Sequence, residues 1–443
     1  MLRNEGERVT ETVDSSQKIL STVDKLWGEE VEFLQTIARF PSTIEHEGSL
    51  QLYLKDFFQN ELQMDVETVE VDEKEISSLP GYAPSEWSYA GRPVVVAKAP
   101  RSIQESKGNS LLFQGHVDVV SPEPKHKWSV DPWSALQIGN RLYGRGVLDM
   151  KSGVAAMVYA YKAIQEAGYE PAADFSIKTV IEEEATGNGT LAAANAGYLA
   201  DAVLIPEPFG QCPSTAQLGS IWLRIHIDTS SNLQSDRTGV GANAIEKAQT
   251  IIEALQSYRE YVNRDEQKPP EFAHMKEPID VEAGTMHSGD FASNIPVEAT
   301  LEVRSAVYPG KDPAEGKQDL IDWILDKTKD DEWLREHPPS FESFGFHAEG
   351  MIMPEEDPLF ARLDEAHEFV TGTRCGRQAI PVTTDARYYG LYYDTPVTCY
   401  GPSGAKMHEP DEWVDLESVK NVTKVYADFL IRWCGIHKKK GDT

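Results

Sequence analysis

Cysteine is scarce in this chain of 443 residues: there are four, Cys212, Cys375, Cys399 and Cys434, far apart and never in a C-x-x-C pair. That excludes a disulfide framework and fits free thiols in a reducing cytoplasm. Long apolar runs are missing too. No stretch is long enough to span a bilayer, and MLRNEGERVTETVDSSQ at the start has no apolar core of a signal peptide, so a cytoplasmic protein is expected. Positive charge is the third shortage. With 42 Lys and Arg against 72 Asp and Glu, the net charge of -30 argues against nucleic acid and against anionic membranes as partners. What remains is an ordinary globular balance, 40% apolar and 26% charged, in a chain long enough for two domains. Internal repeats and low-complexity linkers are absent.

The stretch that organises the rest runs over residues 111–151. LLFQ at 111–114 reads as a short buried strand, and Gly115 lets the backbone turn so that His116 leaves its C-terminal end. Asp118 is spaced to lie on the same side as His116. A carboxylate there can accept from one imidazole nitrogen and leave the other free for a metal. After Met150, Ser152 and Gly153 open a helix with Val154, Met157, Val158, Tyr161 and Ile164 inward, until Gly168 closes it. The strand over 175–181 runs straight into Glu182, Glu183 and Glu184. Such a triplet in so acidic a chain is usually a wet surface face. Its place at the end of a β-branched strand weakens that reading, and residues 202–205 repeat the arrangement with Glu207 just past Pro206.

Alternating strands and helices predict an α/β fold, a mixed, mostly parallel sheet with helices on both faces, whose ligands gather outside the carboxyl ends of the strands. Residues 1–217 are expected to form the first part of this larger domain and residues 350–443 the second. Between them, residues 218–349 change register to a smaller α+β unit, expected to be a lid, a dimerisation platform or both. Helices are expected over 17–40, 49–62, 243–258, 315–334 and 359–370, with lid strands over 293–307 and 340–346. Asp415 is placed to cap a final helix.

GHVD at 115–118, GRGVLDMKSG at 144–153, EEEATGNG at 182–189, PEP at 206–208 and MHEPDEW at 407–413 occur in that order. The chain thereby resembles the co-catalytic zinc aminoacylase and carboxypeptidase family, which includes acetylornithine deacetylase and succinyl-diaminopimelate desuccinylase. Carried over residue by residue, the resemblance implies that His116, Asp149 and Glu207 hold one metal ion, that Asp149, Glu184 and His408 hold a second, and that Asp149 bridges them. It implies a cis peptide between Asp149 and Met150, Glu183 as general base and Asp118 as the partner of His116. Imidazole and carboxylate without thiolate suit zinc, with cobalt or manganese as substitutes.

Substrate contacts are carried by fewer residues. TTDAR at 383–387 resembles the segment that holds a substrate carboxylate, which makes Arg387 a candidate clamp; the plainer alternative pairs it with Asp385 or another acid. Asn243 and Asn294 match family positions near the substrate, or else cap and turn their own backbone. One departure stands out. Relatives carry a lid histidine where TSSNLQSDR at 229–237 has Leu233, so His226, Arg237 or Asn243 would have to replace that donor. The expected function is metal-dependent hydrolysis of a linear amide, deacylating a small-molecule N-acyl amino acid, with a homodimer through the inserted unit. A dipeptidase or carboxypeptidase is the alternative on the same site. A non-catalytic metal-binding scaffold is the alternative of another class, against which the presence of Glu183 and Asp118 speaks.

Overall fold

Apolar residues at helical spacing, among them Ile19, Val23, Leu34 and Ile37, bury one face of a long first helix, α1 (Leu2–Ala38). The computed structural model describes residues 2–101, 108–229 and 242–439. After α1 come α2 (Gly48–Asn60), β1 (Asp65–Val69), β2 (Val94–Lys98), β3 (Leu111–His116), α3 (Ser152–Glu166), β4 (Phe175–Val180), α4 (Asn188–Asn195) and β5 (Val203–Ile205). The inserted unit contributes β6 (Gly219–Asp228), α5 (Ala244–Val262), β7 (Glu282–Ser288), β8 (Glu298–Val307), α6 (Pro313–Thr328) and β9 (Ser340–Ala348). The chain then returns through α7 (Pro358–Thr371), β10 (Val397–Cys399) and α8 (Leu416–Cys434), whose first turn Asp415 caps by accepting from the Glu417 N–H.

The main sheet has the order β1-β2-β4-β3-β5-β10. Its β4, β3, β5 and β10 run parallel, whereas β2 is antiparallel to β4 and β1 to β2. Every residue of β3 and β5 is buried, as parallel strands covered by helices require. Helices α1, α3 and α8 pack against one another beside this sheet in the larger core. The inserted unit is an antiparallel sheet of order β7-β8-β6-β9 with α5 and α6 on one face. Leu223 and Ile225 of β6 and Leu301 and Val303 of β8 face those helices, and the residues between them face the other way.

Some expected boundaries moved. The stretch over 315–334 is two helices, since Asp331 caps a separate short turn, Glu332–Glu336, by accepting from the Leu334 N–H. The strand expected from residue 293 begins at Glu298, and β7 precedes it unforeseen. All four cysteines are free, and no helix among the described residues is long and apolar enough to cross a membrane.

Candidate metal centre and active-site cleft

Parallel pairing sets His116 opposite Val180, so the last residue of β3 and the acids that follow β4 emerge from one edge of the sheet. Glu207 lies two residues past β5, the strand on the other side of β3. Asp149 reaches the same edge from the turn before α3. A Cβ on Gly153, in the first turn of that helix, would stand 2.4 Å from the Pro206 carbonyl oxygen, and one on Gly401 2.3 Å from that of Glu207. Glycine at both places lets α3 and the segment after β10 close on the Glu207 turn. The Asp149–Met150 peptide is cis.

The side chains meet around Asp149. Its Oδ1 lies 3.0 Å from His116 Nε2 and its Oδ2 3.2 Å from His408 Nε2. Glu207 stands 3.7 Å from the first imidazole, and Glu184 3.1 Å from the second. Potential ligand atoms of His116, Asp149 and Glu184 all lie within 4.8 Å of one another, as do those of His116, Glu183 and Glu207. His408 is the most exposed of them, with 42% of its side chain accessible against 8% for Glu184.

No lysine or arginine among the described residues forms an ion pair with these acids, and one oxygen each of Glu207 and Asp118 is buried without a hydrogen-bond partner. Carboxylates crowded out of water in this way need a compensating cation. Burial and the charge of Glu207 push the Glu183 carboxyl well above the usual range, and burial with Asp149 does the same to Glu207. Burial also opposes ionisation of Asp149, but hydrogen bonds from His116 and His408 outweigh it and hold that group low. The donor set therefore fits metal.

Asp118 meets His116 differently from the expectation. The Nδ1 of His116 faces the main-chain carbonyl of Asp118 at 2.9 Å, while the nearest carboxylate oxygen is 3.7 Å away. The other carboxylate oxygen accepts from the Glu184 N–H at 2.9 Å, fixing the turn that carries Glu183 and Glu184. Burial pushes the Asp118 carboxyl up to about 7, against the pull of His116. The glutamate triplet is no wet surface either. Glu182 is buried and paired at 2.6 Å with Arg92, which also holds Glu47 at 2.9 Å.

A residue without an assignment from the sequence also matters. Glu412 is buried, pairs with Arg145 at 2.6 Å and accepts from the N–H groups of Gly146, Leu148 and Asp149. It thus grips the turn that presents Asp149. Its signal lay in the HEPDEW run, where it follows His408 by four positions, with an arginine in GRGVLDMK needing a partner.

A cleft of about 650 Å³ opens over Glu183, Glu184 and His408, roofed by the inserted unit. Neither Asn243 nor Asn294 lines it. Asn243 caps α5 by accepting from the Ile245 N–H, and Asn294 bonds to Asp290 beside a separate groove. Arg387 is wholly buried and makes no ion pair with Asp385; its Nη2 donates to the Thr186 carbonyl and the Tyr388 hydroxyl. His226 sits in the lid sheet beside Glu342 and Thr300. Leu233 and Arg237 lie outside the described residues.

Residues 112–432 match the model of peptidase family M20/M25/M40. The chain belongs to that family. It is similar to the N-formyl-4-amino-5-aminomethyl-2-methylpyrimidine deformylase of Bacillus subtilis (strain 168), 28% identical over 81% of this chain and 88% of the relative. It is also 25% identical to the succinyl-diaminopimelate desuccinylase of Bradyrhizobium sp. (strain ORS 278), over 74% of this chain and 84% of that one. Among solved structures it resembles the dipeptidase Dug1p of Saccharomyces cerevisiae, with a TM-score of 0.73 and 14% identity over 94% of this chain and 98% of that one. As a member of this family, the chain is a metal-dependent hydrolase acting on amide C–N bonds.

Proposed function

We propose that the chain hydrolyses the linear amide of a small N-acyl amine, with two divalent ions sharing Asp149 and with Glu183 as general base. The reading is carried by Asp149, whose two oxygens face different imidazoles. His116, Asp149 and Glu207 would hold one ion, and Asp149, Glu184 and His408 the other; zinc suits this donor set, with cobalt or manganese as substitutes. When bound, the ions lower the pKa of a water to roughly 7 and polarise the acyl carbonyl. The remaining work falls to the side chains. Glu183 takes a proton from the attacking water and gives it to the departing nitrogen, so that the C–N bond breaks and acid and amine leave. Burial beside Glu207 raises this carboxyl well above the ordinary carboxylate range, which favours its holding a proton during the reaction.

The relatives named above remove formyl and succinyl groups, which supports a short acyl group. The Nε and Nη1 of Arg387 are buried without a hydrogen-bond partner among the described residues, but Arg387 does not line the cleft, so the carboxylate of an N-acyl amino acid would reach it only after the surrounding side chains move. A homodimer through the inserted unit is also proposed, because β7 is an edge strand and Met286, Phe291 and Ile295 are 45%, 68% and 47% exposed. Light scattering should give twice the chain mass.

The main test is metal analysis followed by formyl, acetyl and succinyl amines, N-acyl amino acids and dipeptides, with and without a chelator. Chelator-sensitive release of the free amine is expected. Turnover of dipeptides alone would favour the peptidase, and two bound ions without any turnover the scaffold.

A further inference from the structure

The roof of the cleft is one face of the lid sheet. Along β6 the residues on that face are Ser220, Trp222, Arg224 and His226, set opposite Ala306, Arg304, Glu302 and Thr300 of β8. Ser220, Trp222, Arg304 and Ala306 line the cleft with Glu183, Glu184 and His408. Arg224 does not. It is held by both oxygens of Glu86, from the loop before β2, at 2.9 and 3.0 Å, and by Glu302 at 2.9 Å. Trp222 is therefore the last residue of β6 that a molecule in the cleft can meet.

The indole is seated by a built irregularity. The register of β6 against β9 shifts between Ile221 and Leu223, leaving Trp222 opposite the run Phe344, Gly345, Phe346. Both phenyl rings stand 5.4 Å from the indole, and Phe346, edge-on at 83°, also lines the cleft. Gly345 has φ +53, and a Cβ on it would come within 2.3 Å of the indole ring. The cations on the same wall are already matched: Arg304 pairs with Asp280 at 2.6 Å, and Arg259 with Glu282 at 2.5 Å and Glu277 at 3.2 Å. Both arginines thus have acidic partners, and the aromatic surface of this wall is Trp222 and Phe346, set among the small residues Ser220, Ser305 and Ala306.

We infer that Trp222, backed by Gly345 and flanked by Phe346, is a stacking surface that selects substrates whose leaving amine carries a flat aromatic or heteroaromatic ring. This rests on the deacylase reading above and names its substrate class. Rings stack on an indole at little entropic cost, whereas a flexible alkyl amine gains only burial there.

The test uses the full-length, metal-loaded protein and two neutral amides, N-formylbenzylamine and N-formylhexylamine. The aromatic amide should have about tenfold higher kcat/KM. Trp222→Ala should bring the ratio close to one, chiefly through KM for the aromatic amide, and Trp222→Phe should restore much of it. Gly345→Ala, which pushes the indole aside without removing it, should lower the ratio as well. Calorimetric binding of the products, benzylamine and hexylamine, needs no turnover and should show the same preference. No turnover of these amides or of any acyl compound in the panel above would overturn the deacylase reading, and equal binding of the two amines the stacking surface, even in a protein that cleaves both amides. A Trp222→Ala variant that lowers both amides alike would overturn the surface too.

Discussion

Glutamine in place of Glu183 keeps the size of the side chain and removes its capacity to carry a proton. Glu183→Gln should retain both metal ions by elemental analysis and lose about 10²- to 10⁴-fold in kcat, the usual contribution of a positioned base. Near-normal turnover would remove the assignment. Exposure makes a second prediction at this scale. In the proposed two-ion site His408 is the most exposed ligand, so limiting chelator should first strip the ion it would hold, leaving one ion per chain, and His408→Ala should purify with one. Equal loss of both ions would contradict it. The residues around Asp149 were legible through the ordered motifs that carry the family resemblance, since His-x-Asp and a glutamate triplet alone are weak signals. The contact of Asp118 was misread for a local reason: β3 stops at His116, so the two-residue alternation of a strand no longer governs where the next carboxylate points.

Glu412 acts on a whole turn rather than on one atom. Glu412→Ala would leave Arg145 unpaired and three buried N–H groups without an acceptor, a loss of about 3–5 kcal/mol when a buried pair is broken. A lowered melting temperature with metal content below two is expected from calorimetry and elemental analysis; full occupancy would mean the turn holds Asp149 unaided. Elements with a clear apolar period, such as α3 and α8, could be read from the sequence almost to their ends. β7 could not, because both of its faces are largely exposed and its residues show no alternation. The division after α6 was hidden because Trp333 and Leu334 keep the helical period of the preceding residues, while Asp331 caps a new start.

Between the two halves of the molecule, Arg224 and Glu86 tie the lid to the catalytic sheet. Glu86→Gln should raise KM and lower kcat/KM several-fold while leaving metal content intact. Salt should do the same to the natural protein, because going from about 0.1 to 1 M shortens the screening length from about 10 to 3 Å. A variant as salt-sensitive as its parent would show that the tie is idle. The insertion was visible in the sequence as a change of pattern, but the contact across it was not, since nothing local to Glu86 names a partner so far along the chain. Chain order has a last consequence. β10, α8 and His408 all follow the inserted unit, so a copy still leaving the ribosome can assemble most of the acidic cluster while the second imidazole is unmade. The second imidazole of the cluster is therefore supplied only after the inserted unit has been made, however early the acids are in place.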